Sequence, residues 1–300
     1  MILAVNDNFK SGFVSVVGRP NVGKSTLVNS LIGQKIAIMS DKPQTTRNKI
    51  LCILNLPDAQ ILFLDTPGIH KPRHKLGEYM VHTAENTLRE VDVILFVVDA
   101  TEEFGAGEQY ILEHLAAVAT PVVLVINKID KLERPKVLPI IQQYSARHSF
   151  AAVVPVSALT GLNLDGLVTE IKNHLAPGPK YYPDDYVTDQ PERLLIAELI
   201  REKVLHMTRE EIPHSVAVDI EEIVTRPNGD LYVRAVIYVE RDSQKGIVIG
   251  AGGQALKEVG RLARQDVENL LGTKSFLDLW VKVKKDWRNR SGVLKSLGYE

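Results

Sequence analysis

The 300-residue sequence predicts a doubly wound α/β domain followed by a smaller α+β domain. Three observations carry that prediction. The first half alternates short, nearly unbroken apolar runs with helical patterns, which is the mark of a parallel sheet buried on both faces. A stretch dense in Pro, Tyr and Asp then interrupts all periodicity. Beyond it, strands alternate apolar with polar residues, as in a sheet with one wet face.

In chain order, FVSVVG (13–18), ILFLD (61–65), VILFVVD (93–99), VVLVIN (122–127) and AVVPVSA (152–158) read as the buried strands. KSTLVNSLIG, HTAENTLREV, GEQYILEHLAAV and VLPIIQQYSARH read as the helices between them. In such sheets ligands bind beyond the carboxyl ends of the strands. The predicted first domain covers residues 1–176, a linker 177–190 and the second domain 191–300. The second begins with the helix RLLIAELIREKVLHM. The strands HSVAVDIEEIVT and DLYVRAVIYVE follow, joined by RPNGD with its Asn-Gly turn signal. GIVIGAGGQALKEVG then places a glycine loop at the mouth of a helix, and SFLDLWVKVKKDW adds a last strand.

Composition narrows the function classes. The chain is 45% apolar and 24% charged with a net charge of −1, so it is no polyanion binder on average, although a local basic patch can hide in that balance. The single cysteine, Cys52, excludes an internal disulfide and lies in the apolar run KILCILNL, where it reads as an inert thiol in a reducing compartment. VDVILFVVDA and PVVLVINK are far shorter than the roughly 18 residues of a membrane span. MILAVNDNFK carries no basic leader, so a cytoplasmic location is expected.

Gly18-Arg-Pro-Asn-Val-Gly23-Lys24-Ser25 follows the first strand and opens the first helix. Its glycines let successive backbone N–H groups turn toward one anion, and the helix N-terminus adds positive potential. Lys24 is placed to reach the β- and γ-phosphates, and Ser25 to ligate Mg²⁺. Gly18, Asn21, Val22, Gly23, Lys24, Ser25 and Thr26 are therefore candidate nucleotide ligands. The loop alone does not separate GTP from ATP. Asn127-Lys128-Ile129-Asp130 does, because a carboxylate at Asp130 accepts the N1–H and exocyclic amine of guanine and meets no donors on adenine. Asn127 braces the purine and the loop, and the stem of Lys128 covers the base. Ser157, Ala158 and Leu159 offer a backbone N–H to guanine O6.

Asp65-Thr66-Pro67-Gly68 ends the strand ILFLD, with Asp65 placed to hold Mg²⁺ through water and the Gly68 N–H to sense the γ-phosphate. A threonine of Gln44-Thr45-Thr46-Arg47 completes the metal shell when the γ-phosphate is present. Spacing leaves Thr45 and Thr46 open; Thr46 is the chosen candidate. His70 and His74 stand four apart in a Pro- and Lys-bearing loop and are not read as a metal site.

In this order, GRPNVGKS, QTTR, DTPG, NKID and SAL are similar to the five signatures of Ras-like, translation-factor-related GTPases, over residues 13–176. The wording GRPNVGKST with PQTTR and DTPGIH resembles the bacterial Era family. The resemblance implies a P-loop GTPase domain that uses GTP, GDP and Mg²⁺. One departure bears on mechanism: where Ras-type enzymes carry a water-orienting glutamine, this chain has Ile69. No side-chain base is expected, and Lys24, Asn21 and Gly68 are the candidates for stabilising the transferred phosphate. Asn21 resembles the asparagine that binds K⁺ in related enzymes, and intrinsic hydrolysis is expected to be slow.

Gly250-Ala251-Gly252-Gly253 resembles the GxxG loop of KH modules, which clamps single-stranded nucleotides, and the order α–β–β–α–α–β is the one expected of a type II KH fold. Residues 241–300 hold 12 Lys and Arg against 7 Asp and Glu, whereas 191–240 hold 6 against 10, so the basic patch gathers around that loop. Lys245, Lys257, Arg261 and Arg264 are the candidate phosphate contacts. Ile247, Val248 and Ile249 fit either an apolar groove or the core. Across both domains, the Era resemblance implies single-stranded RNA as partner, the 3′ end of small-subunit ribosomal RNA, and a role in assembly of the 30S subunit. A monomer is expected, and the resemblance adds a peripheral place on the inner membrane. The alternatives are a C-terminal unit that docks proteins or membranes, and a phosphate-loop kinase, which NKID disfavours.

Overall fold

The structure is a computed structural model that describes residues 8–42, 44–69, 72 and 74–299. The chain divides into two units. One comprises Met1–Ala37, Thr46–Lys71 and Met80–Asp189; the other comprises Ile38–Thr45, Pro72–Tyr79 and Gln190–Glu300. Two short segments from the first half of the sequence therefore belong to the second unit.

The elements of the first half run β1 (Lys10–Val17), α1 (Lys24–Ile32), β2 (Ile50–Asn55), β3 (Ala59–Asp65), α2 (Lys75–Thr87), β4 (Val93–Asp99), α3 (Ala106–Leu115), β5 (Val122–Asn127), α4 (Val137–Ser145), β6 (Ala152–Pro155) and α5 (Leu164–His174). The sheet order is β2-β3-β1-β4-β5-β6. β3, β4 and β5 are buried at every position, which is why they carry no apolar–polar alternation. β2 departs from the parallel expectation: it pairs antiparallel with β3, from Ile50 opposite Asp65 to Asn55 opposite Gln60. A three-residue link between β2 and β3 is too short for a parallel crossover, so only a hairpin can form.

The Pro- and Tyr-rich segment that reads as a linker is tied along the β2 edge. Ile53 N–H donates to Val187 O at 2.9 Å, Thr188 Oγ1 to Leu51 O at 2.6 Å, and Asn55 Nδ2 to Tyr186 O at 3.0 Å. The buried Gln60 side chain accepts from Tyr181 N–H and Tyr182 N–H at 2.7 and 3.0 Å. The edge strand is thus covered by its own chain.

The second unit contains α6 (Glu192–Met207), α7 (Ile212–Ser215), β7 (Ala217–Thr225), β8 (Leu231–Val239), α8 (Asp242–Ile249), α9 (Gln254–Leu271), β9 (Ser275–Val283) and α10 (Ser291–Ser296). Its sheet is β7-β8-β9, with β7 antiparallel and β9 parallel to β8. Val233, Ala235, Ile237 and Val239 alternate inward from β8 and meet Val259, Ala263 and Val267 of α9, spaced four apart on one helix face. Ile38 is buried in the same core with Ile196 and Ile200 of α6. Each such aliphatic side chain contributes about 1.5–3 kcal/mol by leaving water. The Asn-Gly turn forms as expected, Arg226 N–H donating to Asp230 O at 2.8 Å with Gly229 at φ 86°.

Candidate functional site

β1 delivers the glycine loop to the start of α1, where Gly23 caps the helix in the left-handed region at φ 98°. Gly68 lies so close to the loop that a Cβ there would sit 2.9 Å from Pro20 N, so the strand end of β3 and the loop pack without side-chain space between them. Lys24 is buried, and its Nζ donates to Gly18 O at 3.0 Å and Arg19 O at 2.8 Å. Burial lowers its pKa to about 8, with the Asp65 carboxylate working in the opposite direction. An anion in place of those carbonyls would offset the cost of burying that charge.

Three oxygens converge below the loop. Ser25 Oγ donates to Asp65 Oδ2 at 2.8 Å, Thr46 Oγ1 reaches the same oxygen at 3.2 Å, and the two hydroxyls are 3.0 Å apart. The structure brings Thr46, not Thr45, to this cluster; Thr45 Oγ1 turns back to Lys42 O at 2.6 Å. Asp65 is fully buried, and Oδ1 has no hydrogen-bond partner among the described residues. Burial pushes its carboxyl above the ordinary range, against the pull of Lys24, Ser25 and Thr46. An orphaned carboxylate oxygen beside two hydroxyls, all hard oxygen donors, fits Mg²⁺.

Asn127 spends both ends of its amide on the protein: Nδ2 donates to Val22 O at 2.9 Å, and Oδ1 accepts Ala158 N–H at 2.9 Å. It therefore braces the phosphate loop against the Ser157-Ala158-Leu159 turn and keeps one Nδ2 hydrogen for a base. Of the three backbone N–H groups of Ser157-Ala158-Leu159 considered for guanine O6, that of Ala158 is engaged in this brace. Lys128, left-handed at φ 65°, sends Nζ to Asn21 O at 2.7 Å and Asp99 Oδ2 at 2.5 Å. Asp130 is exposed, with Oδ1 accepting from Ser157 Oγ at 2.5 Å, so its carboxylate keeps acceptor capacity for a base. Asn21 is exposed and left-handed at φ 68°. Ile69 is buried among Leu51, Leu64 and Leu88, so it offers no group to the site. Thr26 lies half-buried on the first turn of α1. His70 lies outside the described residues.

Sequence reasoning missed Asp99. Burial opposes its charge, but Lys128 and Thr101 outweigh it and hold the carboxyl below the ordinary range, fixing Lys128 in place. A strand-ending Asp was the available signal; in the sheet Asp99 stands directly opposite Asn127.

In the second unit, Gly250, Gly252 and Gly253 all take positive φ, at 73°, 57° and 79°. A Cβ at Gly252 would meet nothing within 4 Å, so the loop's outer surface is open. A groove of about 740 Å³ runs from Gly253 between α9 and β9. Lys257, Arg261 and Arg264 line it together with Leu256, Leu277 and Leu279. Lys245 does not line it and lies half-buried on α8. Of the other apolar candidates, Val248 is core, Ile249 is packed on the core and Ile247 is 56% exposed. Phe276 is a groove residue the sequence did not reveal. It is 51% exposed, lies nearly parallel to Tyr232 with centroids 6.0 Å apart, and has the Arg226 guanidinium 5.3 Å from its ring. A basic, apolar-floored groove beside a glycine loop is chemically suited to single-stranded nucleic acid.

A family model described as a 50S ribosome-binding GTPase matches residues 13–128, and a KH domain model matches residues 211–288. A crystal structure of Era in complex with MgGDPNP and nucleotides 1506–1542 of 16S ribosomal RNA is 46% identical to the chain, with a TM-score of 0.94, over 97% of this chain and 99% of that one. The chain belongs to the Era family of GTPases. A variant of Aquifex aeolicus Era bound to GDP·AlF4⁻ matches with the same identity, TM-score and coverage. Membership in the Era family agrees with both halves of the fold, the P-loop α/β sheet and the small KH-like sheet. No helix among the described residues is long and apolar enough to cross a membrane.

Proposed function

We propose that this chain binds GTP with Mg²⁺, hydrolyses it slowly, and binds single-stranded RNA at the 3′ end of small-subunit ribosomal RNA during assembly of the 30S subunit. The observation that carries the reading is the convergence of Ser25, Thr46 and the orphaned Asp65 carboxylate beneath an amide loop closed by Lys24. When bound, Mg²⁺ neutralises charge on the β- and γ-phosphate oxygens. Ser25, Thr46 and Asp65 would hold it; Lys24 and the loop amides would hold the phosphates, and the Gly68 N–H would sense the last of them. Asp130 selects guanine, while Asn127 and Lys128 brace the base and the loop. Water is positioned by backbone groups, since Ile69 is core. Asn21 is the residue we assign to K⁺, so hydrolysis is expected to be faster in KCl than in NaCl, a difference that Asn21→Ala removes.

The RNA lies along the α9–β9 groove, its backbone against Gly250–Gly253 with Lys257, Arg261 and Arg264 at its phosphates, and Phe276 offers a ring face to one base. A cytoplasmic location, which we propose with it, fits that target. Gly252→Asp adds charge at a position where a Cβ meets no atom within 4 Å, although its left-handed φ of 57° costs an Asp some backbone strain. It is expected to weaken binding of a single-stranded 3′-end oligonucleotide at least tenfold while GTP turnover without RNA is kept. Unaltered, salt-independent RNA binding by this variant would contradict the groove assignment.

A further inference from the structure

The sheet β7-β8-β9 spends one face on the core of its own unit, through Val233, Ala235, Leu277 and Leu279 among others. The side chains that alternate with these stand on the opposite face. There the parallel register of β8 and β9 sets Tyr232 beside Phe276, Arg234 beside Asp278 and Val236 beside Trp280. Trp280 is 56% exposed, and with Phe276 it leaves two large aromatic rings in water on one strand. The Arg226 guanidinium stands over this corner, 5.1 Å from the Tyr232 ring and 5.3 Å from that of Phe276, with no ion pair of its own among the described residues. The carboxylates nearby are already met. Arg234 lies 3.4 Å from Asp278 Oδ2 and 3.5 Å from Glu222 Oε2, and the Tyr232 hydroxyl donates to Asp278 Oδ2 at 2.9 Å.

Phe276 belongs to two surfaces at once: it lines the groove between α9 and β9, and its ring is stacked on Tyr232. Groove and outer face therefore meet at β9, an edge strand of the sheet. We propose that Arg226, Tyr232, Phe276 and Trp280 form a second contact for single-stranded RNA. The segment that leaves the groove stacks its bases on Phe276 and Trp280, and Arg226 takes a phosphate. The inference rests on the RNA reading above and extends its site. A protein partner fits this face less well. Protein hot spots are closely packed and fully desolvated, whereas these two rings are four residues, about 13 Å, apart along the strand. Between them lies the Arg234–Asp278 pair, which a protein would have to strip of water at a cost. Stacked bases leave that pair wet.

The chain offers its own probe. It has two tryptophans, and Trp287 is fully buried with Nε1 donating to Ser215 O at 2.8 Å, so quenching by added RNA reports on Trp280. The full chain is titrated with two unpaired RNAs, one of about four nucleotides, the length a KH loop clamps, and one about three times longer. Fluorescence and calorimetry follow the binding. Only the longer RNA is expected to quench the emission. Trp280→Ala and Arg226→Ala, both at exposed side chains, should each weaken the longer RNA about tenfold and leave the shorter one unchanged. Trp280→Phe should keep most of the affinity while losing the quenching, and Arg226→Ala should reduce the salt slope by about 0.7. Binding of both RNAs with no quenching, or with the longer RNA unaffected by Trp280→Ala, overturns this proposal alone and leaves the face to a protein partner. Failure of the wild type to bind either RNA would overturn the groove reading and this proposal with it.

Discussion

At the scale of single residues, the nucleotide site holds its working groups in unfavourable protonation environments until a ligand arrives. Lys24 is the clearest case, with burial drawing its pKa from the ordinary 10.5 to about 8. Between those values the unfolded chain carries a proton that the folded one lacks, so stability of the nucleotide-free protein must rise with pH across that window. The difference corresponds to at most about 3 kcal/mol. Urea denaturation of nucleotide-free wild type and Lys24→Met at about pH 7.5 and about pH 9.5 checks this: the gain should appear in wild type and be missing in Lys24→Met. Equal gains in both proteins would place the titration elsewhere. Most of these residues were legible in the sequence because the chemistry demands fixed types at fixed spacings: amide-exposing glycines, a cation, two hydroxyls, a carboxylate. Asp99 and Phe276 were not, because their roles depend on neighbours brought from other strands, Lys128 at the end of β5 and Tyr232 on β8.

At the scale of elements, the buried strands announced themselves as unbroken apolar runs, and the Asn-Gly hairpin by its turn. β2 was harder to read: ILCILN is as apolar as its neighbours, and only the short link to β3 dictates the reversal. The first turns of α2 were hidden by Gly77 and the prolines before it, which break the helical pattern that resumes at HTAENT. The 177–189 segment reads as a linker by composition, yet its carbonyls and amides are spent on β2 and Gln60. Gln60→Leu would keep the volume and strand two N–H groups without their acceptor. The expected cost is about 1–3 kcal/mol, with earlier proteolysis between Tyr181 and Tyr186, read by thermal unfolding and limited digestion. A variant with the wild-type midpoint and digestion pattern would mean that the strap is held by the β2 edge alone.

At the scale of the whole molecule, the sequence separates into an α/β half and an α+β half, but the units of the structure do not follow the chain simply. Ile38–Thr45 and Pro72–Tyr79 belong with the C-terminal elements: Met39 and Thr45 are held by α6, Lys75 Nζ reaches Ser291 Oγ at 3.0 Å, and Tyr79 meets Tyr299 edge-on at 6.0 Å. No local pattern marks this, because the partners lie more than a hundred residues away. All of this presupposes a guanine triphosphate in the amide loop. Calorimetric titration with Mg²⁺ tests that most directly, comparing GTP, ATP and XTP on wild type and Asp130→Asn. The wild type is expected to bind GTP at least a hundredfold more tightly than ATP, with Asp130→Asn moving the preference to XTP. Equal binding of GTP and ATP by the wild type, or an unmoved preference in Asp130→Asn, would contradict the account.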